Sequence, residues 1–278
     1  MAFGFGFLAI GFGGGLGFQR GFGGTLTSFA GSGFGFGATT GLGKGSAFRG
    51  GGAISGGGGG AGISGCTAAT CFGAGGCPNR ACHTDDLPEM MEKVLERKDL
   101  KGFLQRKVKG PLKRHHEFRV SVSDCPNGCS RPQIADFGLL GAERPKVSKK
   151  PCNACGACEA ICKEEAIVLQ GETVRIDESR CLVCGQCIGV CPTGTLISAE
   201  KGYRILLGGK LGRHPRLAEA LPSIYSSARV LEALNQCLDH YLRFSTQGER
   251  LGEILERVPF SYKPDEPKKK SGSTGSKT

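Results

Sequence analysis

The chain is expected to fold as an α+β protein that carries a cysteine-rich module. Three observations set this class. Residues 116–123 alternate apolar and polar, as a half-buried strand does, and lead directly into Cys125. Ile224, Ala228, Leu231, Leu234, Leu238 and Leu242 recur at three and four residues, so 223–244 reads as one amphipathic helix. Between them stand two near-identical runs of cysteine. These are Cys152-x2-Cys155-x2-Cys158-x3-Cys162 and Cys181-x2-Cys184-x2-Cys187-x3-Cys191, the second followed by Pro192.

In chain order, residues 1–65 form a Gly/Phe tract with no Asp or Glu before Asp85. Runs such as Gly56 to Gly60 would lose much backbone entropy in a helix or strand, so the tract is expected to be low-complexity and disordered. A remnant of an ordered half-domain and a self-associating Phe/Gly segment are the alternatives. Glycine interrupts its apolar positions too often for a membrane span or a signal sequence. Order is expected from Cys66. Asp86 precedes Leu87-Pro88-Glu89, a helix start with proline in its first turn and Met90, Met91, Val94 and Leu95 on one side. After the strand at 116–123, Ile134–Leu140 is a second strand candidate, and Arg144–Pro151 reads as a linker. Residues 166–169 and 173–176 flank Gln170-Gly171-Glu172 as a hairpin. Tyr203–Leu207 is a strand ending at Gly208-Gly209. Cys237 lies alone in the long helix and reads as a small core residue. The expected segments are 1–65, the tract; 66–144 and 201–262, two parts of one domain; 145–200, the cysteine module; and 263–278, a disordered basic tail.

The doubled run has the spacing of bacterial two-cluster ferredoxins, in which the fourth cysteine of each run ligates the other cluster. On that pattern Cys152, Cys155, Cys158 and Cys191 hold one 4Fe–4S cluster, and Cys181, Cys184, Cys187 and Cys162 hold the second. Zinc sites and dithiols also use C-x2-C, but they do not explain a fourfold run that occurs twice. Lys163 stands where the repeat has proline, which bears on chain direction more than on ligation. Thiolate-bound iron needs a reducing compartment, so the chain reads as cytoplasmic.

Two further pairs lie outside the module: Cys71-x5-Cys77, and Cys125-x3-Cys129 within Asp124-Cys125-Pro126-Asn127-Gly128-Cys129. A compact fold could bring them onto a third cubane, with nearby glycines letting backbone amides reach its sulfides.

This motif pair resembles that of the sirohaem sulfite and nitrite reductases, and the resemblance runs from about Cys66 to Phe260. Asp124–Gly141 looks like the family's cluster segment, and Gly208–Ala218 (GGKLGRHPRLA) like its tetrapyrrole-contact segment. A ferredoxin module between the two is the arrangement of the anaerobic and dissimilatory-type members, the C-subunit type of anaerobic sulfite reductase among them. The fold it implies is a reductase domain with an inserted two-cluster ferredoxin module. Its cofactors would be sirohaem and three 4Fe–4S clusters. The resemblance makes Cys71, Cys77, Cys125 and Cys129 ligands of the catalytic cluster, with Cys129 also bridging to the sirohaem iron. Cys66 and Cys82 match no family ligand, and a rival quartet using either stays open. Lys210, Arg213, His214 and Arg216, with Arg131 and Arg80, would neutralise the tetrapyrrole carboxylates; ordinary surface charge is the bland alternative. Arg119 occupies a substrate-facing position, with His116 and Lys210 as further catalytic candidates. Glu117 stands where a lysine is expected, and a carboxylate there would repel an anion unless protonated or turned away. The family's N-terminal half-domain, which lends arginines to the site, is matched here only by the Gly/Phe tract with Arg20 and Arg49.

The net charge of +11 suits small anions and an acidic redox partner. Nucleic acid is not expected, since tryptophan is absent and no aromatic-interleaved basic motif occurs. The expected activity is sirohaem-dependent reduction of sulfite or nitrite. The expected partners are that anion, an electron-donor protein or subunit such as a ferredoxin or flavoprotein, and a hetero-oligomeric assembly. A polyferredoxin without sirohaem is the alternative.

Overall fold

The computed structural model describes residues 48–49, 63–83 and 86–264. Its first elements are two parallel strands, β1 (Phe48–Arg49) and β2 (Cys66–Thr70). The rest of the Gly/Phe tract up to residue 62, and the tail from 265, lie outside the described residues. Phe48–Arg49 is a strand inside a stretch expected to hold none. Pairing with β2 supplies the hydrogen bonds that the local sequence gives no reason to expect.

Two helices follow, α1 (Leu87–Glu96) and α2 (Leu100–Lys107). Leu87, Met91 and Leu95 form the buried face of α1, while Met90 is exposed, so the stripe is narrower than its sequence suggests. The Asp86 side chain makes no capping bond. Next come β3 (Phe118–Ser123) and β4 (Phe137–Val147), parallel to each other. β4 runs to Val147, so the first half of the expected linker at 144–151 is strand. Its partner supplies the reason: β7 (Leu196–Leu207) pairs antiparallel with β4 along its whole length. Between them lie α3 (Ala157–Ile161), the hairpin β5 (Ile167–Gln170) and β6 (Thr173–Ile176), and α4 (Gln186–Gly189). The eight repeated cysteines therefore sit on an insertion at the tip of the long β4–β7 hairpin. β8 (Glu219–Ala220), α5 (Ser227–Phe244) and α6 (Leu251–Arg257) complete the chain. The main sheet has the order β1-β2-β3-β4-β7-β8, parallel as far as β4 and antiparallel beyond it.

Strand alternation separates the two faces of this sheet. Phe118, Val120, Val122, Phe137, Leu139, Tyr203, Ile205 and Leu207 join one core with the apolar faces of α1, α2, α5 and α6. Helix α5 begins at Ser227 rather than 223 because Ser226 caps it, accepting from the Arg229 amide. Leu234 and Leu238 are fully buried, and each contributes about 1.5–3 kcal/mol. Cys237 is fully buried beside them. The other face carries Arg119, Ser121 and Ser123. The insertion has a separate, much smaller core of Cys158, Ile167, Val174, Cys187 and Leu196.

Candidate functional site

The parallel register fixes where the cysteines outside the insertion lie. Thr70 of β2 is level with Val122 of β3, so Cys71 and Cys125 both emerge at the C-terminal ends of adjacent strands. Cys71 Sγ accepts from the Asp124 amide at 3.3 Å and from the Gly73 amide at 3.3 Å. Gly73 has no side chain because Asp124 fills the space; a Cβ there would collide with its carboxylate. Burial raises the Cys125 thiol, and the neighbouring Cys129, Cys71 and Cys77 sulfurs raise it further. The four thiols of the C-x5-C and C-x3-C pairs thus share one neighbourhood. Cys129 is the exposed member, and Asn127 Nδ2 donates to its sulfur at 3.0 Å.

The two unassigned cysteines are elsewhere. Cys66 is level with Phe118, at the far end of β2, and burial pushes its thiol up to about 11. Cys82 is buried and donates its S–H to the Gly202 carbonyl at 2.6 Å, so its proton is in use. The geometry therefore gives no support to a rival quartet.

After Cys129 the chain crosses the polar face of the sheet. Ser130 is held by Ser121 Oγ, which donates to its carbonyl at 2.7 Å, and it donates its own hydroxyl to the Val122 carbonyl at 2.8 Å. This crossing brings the two motif segments together. Gly208 N donates to Asp136 O, Gly209 N to Ala135 O and Ala218 N to Gln133 O, each at 2.8 Å. A Cβ at Gly209 would strike the Gln133 carbonyl, so this approach requires glycine.

The basic residues divide into two groups. Arg131, Arg213 and His214 are exposed and form no ion pair among the described residues. His115, His116, Lys210, Arg213 and His214 line a basin of about 410 Å³ with Arg250 and Glu253. The others are more committed than expected. Lys210 Nζ pairs with Glu253 at 2.7 Å. Arg216 is bound by the Gly252 carbonyl and by Glu219 at 2.5 Å, so it fastens its loop to α6. Arg80 donates to the Gly73 carbonyl at 2.7 Å and contacts His83. His116 accepts from the Lys113 amide, and burial, with His115 and Lys113 nearby, lowers its pKa. Arg119 is half-buried on the polar face; burial and Arg250 lower its pKa, while Asp136 and Glu117 oppose them. Glu117 is turned away: it is buried and accepts from the Ser64 amide at 3.1 Å.

In the insertion, the two cysteine runs adopt matching backbones. Ala154 and Gly156 flank Cys155 with φ of 54° and 76°, and Val183 and Gly185 flank Cys184 with 56° and 74°. A β-branched residue in the left-handed region is strained, and alternating handedness curls amides into an anion-binding concavity. Amide-to-sulfur bonds reach Cys152 from Ala154, Cys162 from Ala166 and Cys191 from Leu196. Burial raises Cys191, but hydrogen bonds from Leu196, Thr193 and Thr195 prevail and bring it down to about 7. Burial pushes Cys187 up to about 12, with Cys184, Cys181 and Cys162 adding to the rise. Cys158 is likewise raised by burial and then by Cys152 and Cys191. Cys162 thus lies near the sulfurs of Cys181 and Cys187, and Cys191 near that of Cys158. Crowded thiols of this kind resist ionisation, and cations between them, such as iron, would favour the thiolates. Among the described residues, no three His, Cys, Asp or Glu side chains converge on a single-ion site.

Fold and site together define a mixed α/β protein with three groups of cysteine and a basic basin that none of them lines. Residues 61–261 match the family described as the nitrite and sulphite reductase 4Fe-4S domain, and the chain belongs to that family. It is 35% identical over 193 residues to the coenzyme F420-dependent sulfite reductase of Methanocaldococcus jannaschii, a match covering 68% of this chain and 28% of that protein. It is 28% identical over 69 residues to the C-subunit of the anaerobic sulfite reductase of Salmonella typhimurium, covering 25% of this chain and 20% of that one. A crystal structure of dissimilatory sulfite reductase I aligns with a TM-score of 0.47 at 20% identity, over 69% of this chain and 49% of that chain. The chain spans about a quarter of the length of the first of these relatives. No helix among the described residues is long and apolar enough to cross a membrane.

Proposed function

We propose that the chain is the sirohaem- and cluster-binding part of a sulfite or nitrite reductase, fed with electrons through the two cysteine groups of its insertion. The observation that carries this reading is the junction of the two motif segments: three backbone hydrogen bonds hold 208–218 against 133–136, next to the run that bears Cys129. Cys71, Cys77, Cys125 and Cys129 would hold the catalytic cluster, and the sulfur of Cys129, the exposed one, would also reach the sirohaem iron. Bound there, sirohaem would supply an iron that takes the anion and passes it six electrons singly. Arg131, Arg213 and His214 would meet the tetrapyrrole carboxylates. Arg119 would face the anion, with Glu117 kept from it by Ser64. Lys210 and Arg216 would hold the basin's wall through Glu253, Glu219 and the Gly252 carbonyl. The insertion would receive electrons from a donor protein or subunit in a reducing, cytoplasmic compartment.

One observation favours the alternative of a polyferredoxin without sirohaem. Of the six basic residues expected at the tetrapyrrole, Arg80, Lys210 and Arg216 are engaged within the chain. Anaerobic spectra separate the two readings. Wild type offered sirohaem should show a haem band that sulfite perturbs. Cys129→Ser should lose or decouple that band while the insertion's clusters stay reducible. Cys158→Ser should keep the band and lose electron delivery. A protein replete in iron and offered sirohaem, yet without a haem band, would leave the polyferredoxin standing.

A further inference from the structure

Among the described residues, one of the insertion's two cysteine groups lines the cavity at its junction with the reductase domain. A cavity of about 340 Å³ is lined by Cys162, Cys181, Cys184 and Cys187 on one side and by Cys125 and Asn127 on the other. None of Cys152, Cys155, Cys158 and Cys191 lines it. Cys155 is exposed, whereas its counterpart Cys184 is partly covered. The Glu143 amide of β4 donates to the Val183 carbonyl at 2.7 Å, which ties the second run to the sheet. One side-chain bond also crosses the junction: Gln186 Nε2 donates to Asn79 Oδ1 at 2.7 Å. Gln186 directly precedes Cys187, and Asn79 stands two residues after Cys77. This bond therefore links residues adjacent to two different thiol groups.

We infer that the group of Cys162, Cys181, Cys184 and Cys187 is the inner station, that the group of Cys152, Cys155, Cys158 and Cys191 is the outer one, and that Asn79 and Gln186 are positioning residues that set the inner station's distance to the reductase-domain thiols. This rests on the proposed function insofar as all three groups carry clusters. Each transfer moves one electron. A cluster held by the outer group would be oxidised as one held by the inner group is reduced, and the inner one would be reoxidised as one held by Cys71, Cys77, Cys125 and Cys129 is reduced. No bond or proton moves at the junction. The source is a low-potential one-electron donor, dithionite in the test below. Gln186 and Asn79 touch no reacting atom; they act by holding two ligand-bearing turns together.

The test uses the full chain, reconstituted anaerobically, reduced with dithionite and read by electron paramagnetic resonance. The readout is the relaxation that a neighbouring cluster imposes on the reductase-domain cluster. Cys184→Ser should abolish that enhancement, and Cys155→Ser should leave it. Gln186→Ala removes no thiol, so it should keep the full iron content and still lose much of the enhancement. Gln186→Glu, to which a flipped Asn79 amide can donate, should restore it. Loss of the enhancement in Cys155→Ser but not in Cys184→Ser would overturn the order of stations. Full enhancement in Gln186→Ala would overturn the role of the clamp. The readout needs neither sirohaem nor sulfite. If wild type lacks a haem band but shows the enhancement, the reductase reading fails and the order of stations stands. If iron is found only in the insertion, both fail together.

Discussion

Asp136 and Arg250 form a buried, two-pronged ion pair across 114 positions of sequence. Arg250 Nε lies 2.9 and 3.1 Å from the two carboxylate oxygens, and Nη2 lies 2.6 Å from Oδ2. The same carboxylate accepts from the Arg119 amide at 2.8 Å and the Leu251 amide at 3.2 Å. One side chain thus gathers the start of β3, the residue before β4 and the first turn of α6. Arg250 itself lines the basin, so Asp136 fixes part of its wall without lining it. The carboxylate is 1% exposed and Arg250 12%, so water offers little substitute for either partner.

Breaking this pair from one side should therefore be costly. Arg250→Met leaves a buried carboxylate with two amide donors and without its paired guanidinium, and should lower stability by about 3–5 kcal/mol. Replacing both residues with leucine should cost less than the sum of the single changes, because no orphan charge remains. Urea unfolding of the three variants checks this. A loss under about 1 kcal/mol in Arg250→Met would mean that the carboxylate is satisfied without its partner.

The crossed grouping of the insertion makes a second prediction, on iron content. Cys162→Ser should deplete the cluster of Cys181, Cys184 and Cys187, and Cys191→Ser that of Cys152, Cys155 and Cys158. Each should lose up to about four irons per chain. The insertion's core is small, so the depleted half should also lose its protection from proteolysis. If Cys162→Ser altered the signal of the first run's cluster, the pairing would be uncrossed.

The parts of this fold legible in sequence are those governed by local periodicity or by ligand spacing. The strand at Phe118–Ser123, the 167–176 hairpin and most of α5 follow from patterning alone. The doubled cysteine run is legible as spacing, whereas the approach of Cys71 and Cys77 to Cys125 and Cys129 depends on the pairing of β2 with β3. What sequence conceals are the pairings between distant segments. Arg144–Val147 reads as a linker because it is charged and holds a proline, yet β7 pairs with all of it across a register shift at Arg144/Pro145. Asp136 gives no signal, because a lone aspartate before a strand has no pattern. Arg216 and Lys210 stand out as a dense basic run, but their acidic partners come from other segments: Glu219 lies beyond the run, and Glu253 is in α6. Asn79 and Gln186 are joined only by the tertiary fold.

Acid should weaken the fold before its carboxylates titrate. Burial lowers the pKa of His240, outweighing its bond to the Val258 carbonyl, and burial also lowers that of His116. The unfolded chain, with histidine near about 6.5, then binds more protons than the folded one. This contribution to stability is fully present above that value and is lost as pH falls through the lower folded values. Glu249 and Glu253 are depressed too; burial opposes this, but bonds from Thr246 and Lys210 outweigh it, so their contribution fails only below the usual carboxylate range. Denaturant midpoints should fall between about pH 7 and pH 5, and His240→Gln should flatten that slope. An unchanged slope in the variant would assign the proton uptake elsewhere.

The division of the basic residues provides the last prediction, because it separates structural cations from ligand-facing ones. Arg216 has a side chain 17% exposed, bound to Glu219, the Gly252 carbonyl and, at 3.7 Å, Glu256. Arg216→Ala removes the fastening between the 208–218 loop and α6, and should cost about 1–3 kcal/mol through the carbonyl left unpaired. Arg213 is exposed with no ion pair among the described residues, so Arg213→Ala should shift stability by no more than about 0.5 kcal/mol. Its effect should appear in the cofactor instead, as weaker retention of sirohaem on gel filtration, stronger still when combined with Arg131→Ala. Urea midpoints and the ratio of haem band to iron, measured on the same preparations, separate the two roles. Equal haem retention in wild type and the Arg131/Arg213 double variant would make these arginines ordinary surface charge.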